Sequence, residues 1–179
     1  MIILPGLLSI ILCVLLASCS APTPAVLPTA TPSSQSQAPM SSKQKPSTKN
    51  TGQQLPISAV AIIPDGTKIQ LEVAQTPQQQ AMGLMYRPTL PDNRGMLFQF
   101  PSPIQANFWM KNVPVPLDMV FMLDGKVLYI AASVPPCSSD PCSTYGPQTV
   151  SNQVIELRSG RAAELGLKVG SYIKINSLN

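Results

Sequence analysis

Histidine is absent from this chain of 179 residues. Its absence removes the commonest general base and the commonest metal ligand, so Ser-His-Asp and Cys-His catalytic groups and every imidazole-bearing zinc site are excluded. Charged residues form only 11% of the sequence and aromatics 5%, and no basic stripe is interleaved with aromatic rings. The footprint of a nucleic-acid binder is therefore missing. No G-x-S-x-G elbow occurs. A membrane-spanning run is missing too: the continuous apolar stretch from Ile2 to Leu16 falls short of the ~20 residues needed to cross about 30 Å of hydrocarbon.

What is present begins with Leu16-Ala17-Ser18-Cys19, a small-small-Cys step closing that apolar stretch. The pattern predicts a lipoprotein signal peptide over residues 1–18, cleaved before a Cys19 that is then acylated. Two or more acyl chains, at about 0.8 kcal/mol per buried methylene, hold a protein on a lipid bilayer. The expected location is outside the cytoplasm, lipid-anchored and facing the periplasm or cell exterior. An ordinary secretory signal with a cysteine at the junction is the rival reading. Residues 19–55 are Pro, Ser, Thr, Gln and Ala with no aromatic and no acid, too poor in apolar surface to offset chain entropy. A tether is expected there, spanning about 30 to 40 Å as a flexible coil.

From Pro56 to Asn179 the composition changes. All nine aromatics lie here, and nine basic residues face eight acidic ones, a net charge of +1. The 124 residues suit one hydrophobic core. Period-two alternation dominates. Ile69, Leu71 and Val73 alternate with Lys68, Gln70 and Glu72, and Pro64-Asp65-Gly66-Thr67 joins them to a strand at 57–63 as a hairpin. Further strands are expected at 96–100 and 104–110, split by Pro101-Ser102-Pro103, and at 118–123, 126–133, 150–157 and 172–175. Thr76, Pro77 and Gln79 form a helix start, with the helix running to about Met85, and a second short helix begins near Ser159 and stops at Gly166. The pattern predicts a mainly β, β-rich α+β domain: a compact antiparallel barrel or sandwich of about eight strands with two short helices.

Cys137 and Cys142 lie in a Pro-rich loop of a chain expected to be exported, where two thiols so close in sequence favour a disulfide worth about 2 kcal/mol. Two thiolates alone cannot complete a zinc tetrahedron, and the spacing is not the C-x-x-C of redox dithiols. Cys13 leaves with the signal. No cofactor or metal is expected.

The strand ending at Lys111 places Ala106, Phe108 and Met110 on one face and Asn107, Trp109 and Lys111 on the other. One reading puts Trp109 in a second core layer with Lys111 paired to Asp118, the commoner fate of a lone Trp in a small β-domain. The other is a cleft floored by Trp109 and edged by Arg94, Lys111, Asn112 and Asp118, able to stack a sugar ring or hold a small polar ligand. Arg87 and Tyr145 extend its rim.

Several linked motifs resemble the family called domain of unknown function 192. They are Thr76-Pro77, Gly83-Leu84-Met85, Arg94-Gly95-Met96-Leu97-Phe98, Phe108-Trp109-Met110-Lys111-Asn112, Pro116-Leu117-Asp118, Cys137 with Asp140-Pro141-Cys142 and Tyr145, and Gly166-Leu167-Lys168-Val169-Gly170. The resemblance runs from about Val60 to Ile175. It implies a small β-rich fold, common in exported or membrane-anchored proteins of bacteria and archaea, and implies no reaction. Val113 and Ser171 stand where family members often carry Thr and Asp.

Three functions follow as expectations. The first is a non-catalytic, membrane-anchored binding module for a small polar ligand or a cell-envelope glycan. The second is an envelope-acting hydrolase, using Asp118 and Glu156 as a glycosidase pair if they flank a cleft, or Ser102 or Ser133 with Lys111. The third is an assembly lipoprotein docking on a membrane partner through its six domain methionines, residues that more often fill a core.

Overall fold

The structure is a computed structural model that describes residues 51–178. The expected signal peptide, Cys19 and all but the last residues of the expected tether lie outside the described residues. Among those described, no helix is long and apolar enough to cross a membrane.

The expected hairpin forms where the turn chemistry places it. Strands β1 (Ile57–Ile62) and β2 (Lys68–Ala74) pair antiparallel around a turn in which Gly66 adopts φ 89° and Asp65 Oδ1 accepts from Thr67 N at 2.8 Å. Helix α1 (Pro77–Met82) opens with a complete capping box: Thr76 Oγ1 accepts from Gln79 N, and Gln79 Oε1 accepts from Thr76 N. Gly83, at φ 47°, ends it. The helix lies in the connection to β3 (Arg94–Ile104), and that connection is long enough to let β3 run parallel to β2.

Strands β4 (Phe108–Trp109), β5 (Leu117–Leu123), β6 (Lys126–Val134), β7 (Thr144–Tyr145) and β8 (Ser151–Arg158) follow, then α2 (Arg161–Glu164) and β9 (Lys174–Ser177). Seven strands form one sheet in the order β6-β5-β8-β3-β2-β1-β9, and β4 pairs with β7 in a separate ribbon. One bridge, Lys126 to Tyr172, reaches from β6 toward β9, but those strands share no ladder. The sheet curls without closing, so the barrel alternative is set aside.

Pro101-Ser102-Pro103 does not split two strands as expected. Strand β3 runs through it, and the missing proline N–H groups show instead as a break in register with β8 between Gln99 and Ile104. Both faces of the large sheet are apolar. One buries Leu71, Leu97, Val120, Ile155 and Leu157 beneath α2, and the other buries Met96, Phe98, Met119, Phe121 and Val154 beneath the β2–β3 connection and the β4–β7 ribbon. Met96, Met110, Met119 and Met122 are fully buried, so the methionines serve mainly as core.

The ordered fold also reaches a little before Pro56. Gln53 Nε2 donates to the carbonyls of Gln79 and Gly83 at 2.8 and 3.0 Å, and Leu55 N donates to Glu72 Oε2 at 2.9 Å.

Candidate functional site

The β4–β7 ribbon stands over the second face of the sheet because Phe108 is driven into it. Its ring meets Phe98 edge-on at 4.8 Å and Phe121 edge-on at 5.7 Å. Gly146, following β7, permits the close approach, since a Cβ there would lie 2.1 Å from the Ala106 carbonyl oxygen. With Phe108 turned inward, strand alternation turns Trp109 outward, where it is 48% exposed. The core-layer reading of Trp109 is thereby overturned.

Lys111 does not pair with Asp118. Its Nζ lies 3.1 Å from both oxygens of Asp140 and 5.7 Å from the centroid of the Trp109 ring, within cation–π range. Asp140 belongs to the loop closed by the expected disulfide between Cys137 and Cys142. Donor atoms of Cys137, Asp140 and Cys142 lie within 4.8 Å of one another, but the two sulfurs are bonded to each other.

Two adjoining cavities meet at Trp109. The outer one, of about 470 Å³, lies between α1 and β4, within the usual range of small-molecule sites. Phe98, Phe100, Phe108 and Trp109 line it together with the amides of Gln80, Gln105 and Asn107. No charged side chain lines it among the described residues. Gln80 Nε2 donates to the carbonyls of Ala74 and Gln99, which fixes the side chain and leaves its amide oxygen available.

The inner cavity, about 30 Å³, is bounded by the Gly83-Leu84-Met85 segment, Phe98, Phe108, Trp109, Lys111, Val113 and Glu156. Most of these residues belong to the motifs that carry the family resemblance. Glu156 is 4% exposed, and its Oε2 is sealed from solvent with no hydrogen-bond partner among the described residues. Desolvation pushes its pKa up to about 8, so the group is neutral at pH 7.

A second buried carboxyl shows how unusual this is. Cross-strand register aligns Glu72, Met96, Glu156 and Met119 in one row. Glu72 receives both of its oxygens' bonds from Arg87 Nη1, at 2.9 and 2.7 Å, and one from Leu55 N. Glu156, two strands away, receives none.

The other expected site residues lie elsewhere. Asp118 is fully buried; Oδ1 accepts from Ser133 N at 2.7 Å and Gly160 N at 3.1 Å, and Oδ2 from Ala162 N at 2.8 Å. Buried and held by three backbone N–H groups, Asp118 edges no cleft. It also sits opposite Leu157, whereas Glu156 sits opposite Met119. Asp118 and Glu156 therefore point to opposite faces of the sheet, and no glycosidase pair exists.

Arg94 opens β3 four residues before Phe98, donates to Gln70 Oε1 at 3.3 Å, and lines neither cavity. Arg87 is committed to Glu72. Tyr145 pairs with Phe108 across the ribbon and faces a separate groove with Cys137. Asn112 borders a shallow groove with Lys111 and the disulfide loop, its backbone at φ 57°. Ser133 Oγ accepts from Ser159 Oγ at 2.9 Å and has no Lys111 beside it, and Ser102 is exposed on β3. Neither serine forms a pair with that ammonium group.

Trp109 and Lys111 are thus the expected residues that the fold brings together. Gln80 and Phe98 also belong to the site, with no sequence motif to announce a binding role, and Glu156 lines the inner cavity instead of pairing with Asp118. Glu156 did leave a signal: an acid at the centre of Val154-Ile155-Glu156-Leu157, a strand apolar on both faces, has no solvated side to occupy.

The chain is similar to two proteins of known structure. One is a protein of unknown function from Novosphingobium aromaticivorans, 34% identical over 65% of this chain and 83% of that one, with a TM-score of 0.59. The other, from Sinorhizobium meliloti, bears the provisional name of transcription regulator and is 30% identical over 66% of this chain and 91% of that one, also with a TM-score of 0.59. A comparison with curated proteins finds no match. Residues 60–175 match the family model of domain of unknown function 192, described as uncharacterized ACR, and with most of its length matched the chain belongs to that family.

Proposed function

We propose that this protein is an exported, lipid-anchored binding module whose outer cavity receives a neutral sugar of a cell-envelope glycan. The observation that carries the reading is the pairing of a half-exposed Trp109 with an uncharged, aromatic-and-amide cavity beside it. Aromatic faces stack on the C–H side of sugar rings, and fixed amides such as Gln80 satisfy hydroxyl groups without demanding charge. A charged small ligand would have only Lys111 at the margin, and Asp140 already neutralises it. The domain's near balance of nine basic and eight acidic residues favours this reading over the transcriptional role that the Sinorhizobium protein's name suggests.

Trp109 is the chain's single tryptophan, so its fluorescence reports from the site alone. Titrating the full chain in nanodiscs with neutral oligosaccharides is expected to shift that emission saturably, and Trp109→Ala to abolish binding measured by calorimetry. Unchanged calorimetric binding in that variant would retire the site. Mass spectrometry of the mature N-terminus tests the anchor: an acylated Cys19 is expected, and an unmodified chain recovered from the cytosol would overturn it.

A further inference from the structure

We infer that the inner cavity is a subsite for the hydroxymethyl arm of a hexose stacked on Trp109, with Glu156 as its polar anchor, so that the protein selects hexoses over pentoses. The inference rests on the glycan reading above and adds the feature of the sugar that is read. Its ground is a mismatch: the Glu156 carboxyl has an oxygen that lacks a partner in a native interior, yet the residue lines a cavity large enough for one small group. Trp109 and Phe108 belong to the walls of both cavities, so a ring lying on Trp109 in the outer one can extend a one-carbon substituent into the inner one.

The chemistry of the walls narrows what that substituent is. Phe98, Val113 and Leu84 suit its methylene, and Glu156 is the acidic group among them. Buried and neutral, the carboxyl offers one O–H donor and one carbonyl acceptor, the same pair that a hydroxyl group presents in return. An ammonium arm would require Glu156 to ionise and would meet Lys111, which lines the same cavity. A phosphate arm exceeds the space, and a carboxylate arm would bring a second acid against Glu156 while the Lys111 ammonium is already paired with Asp140. Gly83 helps keep the cavity open, since a Cβ there would stand 3.5 Å from the Phe98 ring.

The test uses methyl glycosides that differ only in the hydroxymethyl group: glucose with xylose, galactose with L-arabinose, and mannose with lyxose. Each is titrated against the full chain in nanodiscs by Trp109 fluorescence and calorimetry. The hexose of at least one pair is expected to bind about tenfold or more tightly than its pentose. Glu156→Gln, which keeps a donor and an acceptor, is expected to preserve that preference, and Glu156→Leu to bring the hexose down to the pentose affinity while leaving the pentose unchanged. The unchanged pentose affinity certifies that the variant is folded. Equal binding within every pair, or an undiminished preference in Glu156→Leu, overturns the subsite and leaves the glycan reading standing. Binding of neither member of any pair overturns both.

Discussion

Asp118 Oδ2 accepts the backbone N–H of Ala162 at 2.8 Å, across 44 residues of chain. Helix α2 starts at a Gly160 that has no side-chain cap of its own, so a carboxylate on β5 does the capping from beneath, while its other oxygen holds Ser133 on β6. Asp118→Ala would strand three N–H groups, that of Ala162 buried and those of Ser133 and Gly160 part-buried, and a loss of about 3 to 5 kcal/mol is expected in denaturant unfolding. A loss below 1 kcal/mol would mean that the clamp does not hold the fold.

Glu156 gives the domain an unusual pH profile. Its pKa is about 8 when folded against 4.5 when free, so the folded state holds the extra proton throughout that window. Stability therefore falls as pH rises from about 4.5 to 8, by an amount on the order of a few kcal/mol. Asp92 and Glu164 act in the opposite sense: arginine partners lower their pKa values, so what they contribute is lost only as pH falls into the acid range. Maximum stability is expected near pH 5. Thermal unfolding at pH 5 and pH 8 should show a higher midpoint at pH 5, and Glu156→Gln should remove most of the difference.

Arg87→Met would leave Glu72 buried with its guanidinium partner gone. Removing one member of a buried ion pair costs about 3 to 5 kcal/mol. Replacing both residues together, as Glu72→Gln with Arg87→Met, should recover part of that loss. A double variant no more stable than the single one would show that packing at Arg87, not charge, carries the effect.

Reduction of the Cys137–Cys142 bridge should lower stability by about 2 kcal/mol, the chain-entropy value for so short a loop. It should also loosen Asp140 and with it Lys111, so Trp109 emission is expected to change on adding reductant and to stay constant in Lys111→Met. Emission that responds equally in both proteins would uncouple the loop from the site.

Local chemistry made much of this protein legible before any tertiary contact was known. The Asp65-Gly66 hairpin, the Thr76–Gln79 capping box and the Cys137–Cys142 bridge each depend on residues close in sequence, so the chain by itself determined them. The lipid anchor expected at Cys19, which lies outside the described residues, is a reading of the same local kind. Long-range register decided the rest. Whether Asp118 meets ligand or backbone N–H groups depends on Ser133, Gly160 and Ala162, none near it in the chain. That Glu156 and Asp118 face opposite ways is set by the pairing of β5 with β8, since a shift of one residue reverses every side chain. Alternation can say that Trp109 and Lys111 share a face, but only the packing of Phe108 onto Phe98 and Phe121 says which face is covered. Side-chain direction along a strand is a property of the strand, whereas burial is a property of what the strand meets.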